Sequence, residues 1–140
     1  MSLVTEIQTR FRANATITAL VPSERIKEQW IKQGDDKPTI TLNVSSHQHS
    51  HDLGGGAGYA EPLLEVHIWT RKSADKDALG NAIRASLQGF SGTLTTVAVR
   101  GITLESDLEF YESNRMGAQD GDYHRLMEFK VSHVESIPTF

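Results

Sequence analysis

One segment of the sequence, residues 38–90, decides the fold: PTITLNVSSHQHSHDLGGGAGYAEPLLEVHIWTRKSADKDALGNAIRASLQGF. Its side chains alternate in character along residues 63–70, so one set can face a core while the other faces a wetter environment. The two sets are Leu64, Val66, Ile68 and Thr70 against Leu63, Glu65, His67 and Trp69. Residues 39–45 alternate apolar side chains with hydroxyl and amide side chains in the same way. The segment therefore predicts two half-buried strands, at 39–45 and at about 63–71.

A polar and glycine-rich stretch joins these two strands at about residues 46–60. It has too few apolar side chains to pack and enough glycines to be flexible. We therefore expect a long β-hairpin arm that reaches out to a partner. Its candidate contact residues are His47, His49, His51, Gly54, Gly55, Gly56 and Tyr59.

A helix is predicted directly after the second strand. Ser73 is a good N-cap, and Asp75 and Asp77 follow in the first turn, where a carboxylate favours the helix dipole. The apolar side chains then recur at helical spacing, at Leu79, Ala82, Ile83, Leu87 and Phe90. Gly89 or Gly92 is placed to end the helix.

The remainder of the chain supplies one more helix and two more strands. A helix is predicted at about residues 3–13, with the side chains of Glu6, Gln8, Arg10 and Arg12 outside its apolar stripe. Beyond Gly101 the alternation places Ile102, Leu104, Leu108 and Phe110 on one strand face and Thr103, Glu105, Asp107, Glu109 and Tyr111 on the other. The last strand is predicted at 123–134, with Met127, Phe129 and Val131 sharing a face. The expected fold is α+β: one domain, 1–140, with a mostly antiparallel sheet, two helices on one face and the hairpin arm.

Composition excludes several classes of protein. The net charge of −4 argues against a protein that wraps nucleic acid through its phosphates. The absence of cysteine excludes a disulfide framework, a thiolate nucleophile and a cysteine zinc site. The sequence contains neither a secretory signal nor an apolar run long enough to span a membrane, so we expect a soluble protein.

Three histidines in the arm raise the question of a metal site. His47, His49 and His51 alternate, and imidazole and carboxylate side chains, here with Asp52 adjacent, are ligands for zinc or nickel. Alternate side chains of an extended strand lie about 6.6 Å apart, however, which is too far for one ion unless the chain bends. A solvated polar arm is the favoured interpretation, and we expect no metal or cofactor.

Two further patterns could indicate an enzyme or a nucleotide-binding protein. The glycines at 54–56 are followed by a strand, whereas a phosphate-binding loop opens a helix. Glu105, Asp107 and Glu109 could supply a pair of carboxylates for acid–base catalysis, but alternate carboxylates on an exposed strand are more often solvated. No catalytic signature appears in the sequence, and we expect a protein that is not an enzyme.

Several segments, taken in order, resemble one protein family. They are Pro38-Thr39-Ile40-Thr41-Leu42, Leu53-Gly54-Gly55-Gly56, Leu64-Glu65-Val66-His67-Ile68-Trp69-Thr70, the helix and turn 77–94, Val99-Arg100-Gly101-Ile102, 107–112 and 123–131. The chain resembles, over nearly its whole length, the tail completion or tail terminator proteins of long-tailed bacteriophages.

The resemblance implies a virion structural protein of the tail or neck, assembled in the bacterial cytoplasm. Such a protein forms a homohexameric ring at the head-proximal end of the tail, ends tail-tube growth and docks to the head connector. DNA would pass through the bore without sequence-specific binding, and Glu105, Asp107 and Glu109 are the candidate bore-lining residues. The alternatives are another neck component, such as a head-closure or minor tail protein, and a small metal-binding enzyme.

Overall fold

The computed structural model describes residues 3–28, 38–46, 49–52, 55–94, 96–113 and 121–134. Its helices are α1 (Leu3–Arg12), the single turn α2 (Ala15–Thr18) and α3 (Ser73–Leu87), and a 3-10 turn spans Ser23–Arg25. Its strands are β1 (Ile26–Glu28), β2 (Thr39–Ser46), β3 (His49–Asp52), β4 (Gly55–Ala60), β5 (Leu63–Thr70), β6 (Gly92–Thr93), β7 (Ala98–Ser113) and β8 (Gly121–Val134). No helix in these ranges is long and apolar enough to cross a membrane.

The strands form one mixed sheet that is organised around β8. One edge of β8 pairs with β5 along 123–130 and then with β4 at 133–134, while its other edge pairs with β7 from 121 to 133. β2 lies on the far side of β5 and β1 lies beyond β2, and the β1–β2 pair is parallel while the other pairs are antiparallel. The predicted α+β fold with a mostly antiparallel sheet is therefore confirmed.

The helices cover one side of this sheet, which we call the helix face. The predicted core side chains of β5 and the stripe of α3 meet there, and Leu64, Val66, Ile68, Leu79, Ile83 and Leu87 are fully buried. Met127, Phe129 and Val131 of β8 join the same core. Gly89 follows the end of α3 with φ = 78°, a conformation that glycine adopts without strain, and its N–H donates to the carbonyl of Ile102. We call the opposite side of the sheet the open face.

The predicted arm is a direct extension of the β2–β5 hairpin. β3 follows β2 and pairs with β4, and β4 leads into β5 along the same edge of β8. The backbone N–H of Val131 donates to the carbonyl of Pro62 at 3.0 Å and bridges the step between the two pairings. The glycines of β4 therefore belong to a paired strand.

The alternation predicted for β7 is wrong beyond Leu104. The register with β8 shifts between Leu104 and Ser106, so Glu105 is an extra residue, a β-bulge. Because side chains alternate with a period of two, one extra residue moves every later side chain to the other face. Leu108 and Phe110 consequently lie on the open face, whereas Asp107 and Glu109 share the helix face with Ile102 and Leu104.

Two predictions at helix ends and surfaces also need correction. Lys72, not Ser73, is the N-cap of α3, and Ser73 is its first helical residue. Glu6 of α1 lies inside the protein with 1% of its surface exposed. Its carboxylate accepts hydrogen bonds from the backbone N–H and hydroxyl of Thr96 and from the backbone N–H of Val97, so it ties α1 to the start of β7.

We predict that Glu6→Gln destabilises the protein in a pH-dependent way. Burial by itself raises the pKa of Glu6, but the hydrogen bonds from Thr96 and Val97 outweigh it and hold the pKa below its ordinary value of 4.5. The charged carboxylate therefore stabilises the fold above pH 4.5 and loses that effect as the pH falls through its lowered pKa.

Urea unfolding at neutral pH should show a loss of about 1–3 kcal/mol for Glu6→Gln, and the loss should shrink toward pH 3. Glu24→Gln, a change at an exposed carboxylate, is the control. A loss for Glu6→Gln that stays the same at every pH would show that the charge of Glu6 has no part in it.

Candidate assembly interface

The open face carries a patch of aromatic and apolar side chains at one end, which we call the aromatic patch. The strand register aligns Trp69, His124 and Phe110 in one row and His67, Leu126 and Leu108 in the next. The rings of Trp69 and His124 stack with centroids 3.8 Å apart and planes 6° apart, and Phe110 lies 5.6 Å from His124. Exposure is greatest on β7, where Leu108 and Phe110 are 47% and 46% exposed.

Hydrogen bonds fix the inner part of the aromatic patch. Asn43 donates to Glu65 Oε2 at 3.1 Å, Glu65 Oε2 lies 3.1 Å from His67 Nε2, and His67 Nδ1 lies 2.8 Å from His124 Nε2. Burial, and then the neighbouring His67, lowers the pKa of His124 to about 4, so His124 is uncharged at neutral pH. The stack therefore presents an apolar, ordered surface, and only the β7 side of the patch is largely uncovered.

The uncovered apolar side chains concentrate on one short part of β7. Large hydrophobic side chains that are exposed in the described part of the chain are Leu108, Phe110, Tyr111 and Val134. Three of these four lie within residues 108–111. Sequence periodicity assigned Leu108 and Phe110 to the core because it could not detect the bulge at Glu105.

The three candidate bore-lining carboxylates do not share one face. Glu105 lies beside Thr103 and Lys130 on the open face. Asp107 and Glu109 lie on the helix face with Arg125 and residues of α3. Whether any of the three borders a bore stays a prediction.

Asp107 and Glu109 are paired with cations of the same chain. The Arg125 guanidinium donates two hydrogen bonds to Asp107, at 2.8 and 2.6 Å, and the pKa of Arg125 is raised mainly by these bonds. Lys76 Nζ lies 3.1 Å from Glu109 and 5.3 Å from the ring centroid of Tyr123. These pairs hold the far part of the β7–β8 hairpin against the first turns of α3.

The open face is charged at its other end, near the base of the arm. Lys130 Nζ lies 2.9 Å from Glu61, and that hydrogen bond raises the pKa of Lys130. Arg100, Thr103 and Glu105 line the same shallow depression. The open face therefore changes from apolar to charged along β7 and β8.

The arm residues predicted to contact a partner are only partly within the described chain. His47 and Gly54 lie outside it. The backbones of His49 and His51 lie in β3, and those of Gly55, Gly56 and Tyr59 lie in β4. The outer edge of β3 has no strand partner among the residues that the structure describes.

The described residues hold no cluster of side chains suited to a metal ion. No group of three or more histidine, aspartate or glutamate side chains is close enough to hold a metal ion within those ranges. A concavity lies between α1 and α3, and the charged side chains that line it, Glu6 and Arg10, already bind other groups of the protein. Glu6 binds the backbone near Thr96, and Arg10 donates to Ser86 and lies over the ring of Phe90.

Sequence reasoning missed two pairings that shape this surface, His67 with His124 and Arg125 with Asp107. Each joins residues on different strands, so no local period reports it. The second pair could have been found from charge: Arg125 and the acidic residues of β7 carry opposite charges, and they face each other once the register of the β7–β8 hairpin is known.

The comparisons with known proteins are consistent with this fold. A family model described as tail completion protein gp17 matches residues 5–131. A chain from a solved structure, the virion of a native gene transfer agent (GTA) particle, has a similar fold with a TM-score of 0.71. The two chains are 16% identical, and the match covers 94% of this chain and 95% of that chain. The comparison with curated proteins gives no match.

We predict that Gly80→Ala weakens the clamp between α3 and the β7–β8 hairpin. A Cβ atom at Gly80 would overlap the guanidinium of Arg125, so the guanidinium would have to shift from the position in which it binds Asp107. Alanine favours a helix over glycine by about 1 kcal/mol, but the two charge-assisted hydrogen bonds that are lost outweigh this gain. The net result should be a loss of about 1 kcal/mol in the free energy of unfolding.

The control is the same substitution in an Arg125→Ala background. There the obstructing side chain is gone, and Gly80→Ala should stabilise the protein by up to about 1 kcal/mol. Chemical denaturation measures the change in the free energy of unfolding in both backgrounds. Equal changes would show that the position of Arg125 does not depend on a glycine at residue 80.

Proposed function

The chain belongs to the tail completion protein gp17 family, and on that premise we propose that it forms a homohexameric ring at the head-proximal end of a tail. The family is one of structural proteins of phage-like virions, so the chain is a virion tail component and not an enzyme. In the proposed role the ring ends growth of the tail tube and docks to the connector or stopper protein of the head. Its partners are then further copies of itself, the tail tube protein and that connector.

The observation that carries the proposal is the extent of the family match. It runs from residue 5 to residue 131 and so includes the helices, the sheet and the arm. A function that depends on assembly needs surfaces for neighbours, and two features of the fold suit that need. These features are the arm and residues 108–111 of β7, whose large apolar side chains are not covered by the core.

Size supports a ring that DNA can pass through. A compact domain of 140 residues has a radius of gyration of about 14 Å, which corresponds to a sphere about 37 Å across. Six equal spheres in a closed ring enclose a hole of the same diameter, about 37 Å before side chains intrude. The hole is wide enough for a DNA duplex.

We expect the purified protein to assemble into six-subunit rings and to cap tail tubes. Mass photometry should give six times the mass of the chain, and negative-stain images should show a ring at one end of tubes grown with the tail tube protein of the same virion. Tubes grown without it should be longer and uncapped. Rings that bind isolated heads but not tubes would instead assign the chain to another neck component.

The bore prediction is tested first at Glu105, because Asp107 and Glu109 are already neutralised by Arg125 and Lys76. We propose that the charged end of the open face borders the bore. Glu105→Lys would then place a cation next to Lys130 in every subunit, and the ring should bind duplex DNA at low salt with an affinity that falls steeply as salt rises.

Glu24→Lys makes the same charge change at an exposed site on the 3-10 turn and should leave the ring without DNA binding. Electrophoretic mobility shifts of assembled rings at two salt concentrations measure the difference. If Glu105→Lys rings form normally and bind no more DNA than Glu24→Lys rings, Glu105 does not border the bore.

A further inference from the structure

We infer that the outer edge of β7, residues 103–113, is the docking edge for the arm of a neighbouring copy, which adds its β3 strand to the sheet. This inference rests on the proposed ring, because it names the surfaces through which the subunits join. The backbone of both segments is described, and each has one edge without a strand partner among the described residues.

The first support is the contrast between the two lateral edges of the sheet. At β1, side chains of α1 hold the edge strand, since Gln8 and Arg12 both donate to the carbonyl of Ile26 and Thr5 donates to Glu28. At β7, strand β6 covers only residues 98 and 99, and Gly89 satisfies the carbonyl of Ile102. From Thr103 onward β7 has neither a strand nor a helix hydrogen-bonded to its outer edge within the described chain.

The second support is the chemistry of that uncovered edge. Proteins usually protect an exposed edge strand with charge, proline or a short length, because an apolar edge pairs with other chains. β7 has a bulge at Glu105, but beyond it the carboxylates of Asp107 and Glu109 are paired with Arg125 and Lys76. Leu108 and Phe110 on the open face and Tyr111 on the helix face are each about half exposed. An added strand would pair with the free backbone groups and cover apolar side chains on both faces.

The third support is that the arm and the apolar part of β7 lie at opposite ends of β8. Phe110 aligns with His124, whereas the base of the arm aligns with His133 through Ala60. Nine residues of a strand separate these two positions, which is about 30 Å at 3.3 Å per residue. The arm therefore does not lie along residues 108–111 of its own chain, and contact between these two surfaces of different copies is head-to-tail.

A head-to-tail contact uses two different surfaces of the same chain, and repetition of that contact closes a ring when the rotation fits. The arm is also slim enough to lie beside another strand, since five of the six residues of β4 are glycine or alanine. The occupant of the β7 edge is therefore β3 of the next subunit, His49–Asp52.

Cysteine cross-linking tests this pairing directly, because the natural chain has no cysteine. The double variant Ser50→Cys, Tyr111→Cys places one thiol on β3 and one on β7, and a short bis-maleimide should link neighbouring subunits of the assembled ring into a ladder of covalent oligomers. The variant Ser50→Cys, Ser91→Cys, with the second thiol at an exposed position near β6, should give no ladder.

Charge placed on the edge gives a second readout. Leu108→Lys with Phe110→Lys alters only half-exposed side chains, so the subunit should keep its fold and its circular dichroism spectrum. The protein concentration at half-assembly should rise at least about tenfold. Ala15→Lys with Ala19→Lys is the matched control, because it also adds two lysines at exposed positions, which lie outside both β7 and the arm.

The outcomes separate the interface from the function. Normal rings that give no ladder, or equal weakening by the β7 variant and by Ala15→Lys with Ala19→Lys, would overturn the assignment of this edge and leave the proposed ring intact. Cross-links that join position 111 of one copy to position 111 of another, so that only covalent dimers form, would also overturn the assignment. A natural protein that stays monomeric at all concentrations would overturn the ring itself and this interface with it.

Discussion

The fold depends on the pairing of one long strand, β8, along both of its edges. β5 and then β4 occupy one edge, and β7 occupies the other, so the core of the domain and the base of the arm are fixed to the same backbone. Every second side chain of β8 from Met127 to Val131 enters the core under the helices. The opposite ends of β8 therefore determine where the arm and the apolar part of β7 are presented.

A single extra residue, Glu105, divides β7 into two parts with different roles. Before the bulge, Ile102 and Leu104 pack with the core, as a half-buried strand should. After it, the helix face receives Asp107 and Glu109, which bind Arg125 and Lys76, while the open face receives Leu108 and Phe110. The bulge thus converts an apparent core strand into an edge with exposed apolar side chains and internally neutralised carboxylates.

These features suit a protein whose task is assembly and not chemistry. Its buried charged groups, Glu6 and Lys76, and the partly buried Arg125 hold elements together. The surfaces that remain are an arm, an apolar edge and a face that changes from aromatic to charged. A structural component of a virion tail needs such surfaces for its neighbours, and the family assignment agrees with that view.

Local periodicity was enough to determine the faces of β5 and β8 and the stripe of α3, because each of these is a repeat within one helix or strand. The hairpin arm followed from the polar, glycine-rich composition between two predicted strands. The order of segments also carried the resemblance to the family. Tertiary structure alone decided the bulge at Glu105, the burial of Glu6 and the contact of His67 with His124. Each of these depends on which strands or loops pair across the sheet, and that pairing is set by the summed backbone hydrogen bonds and packing of distant segments, which no local pattern contains.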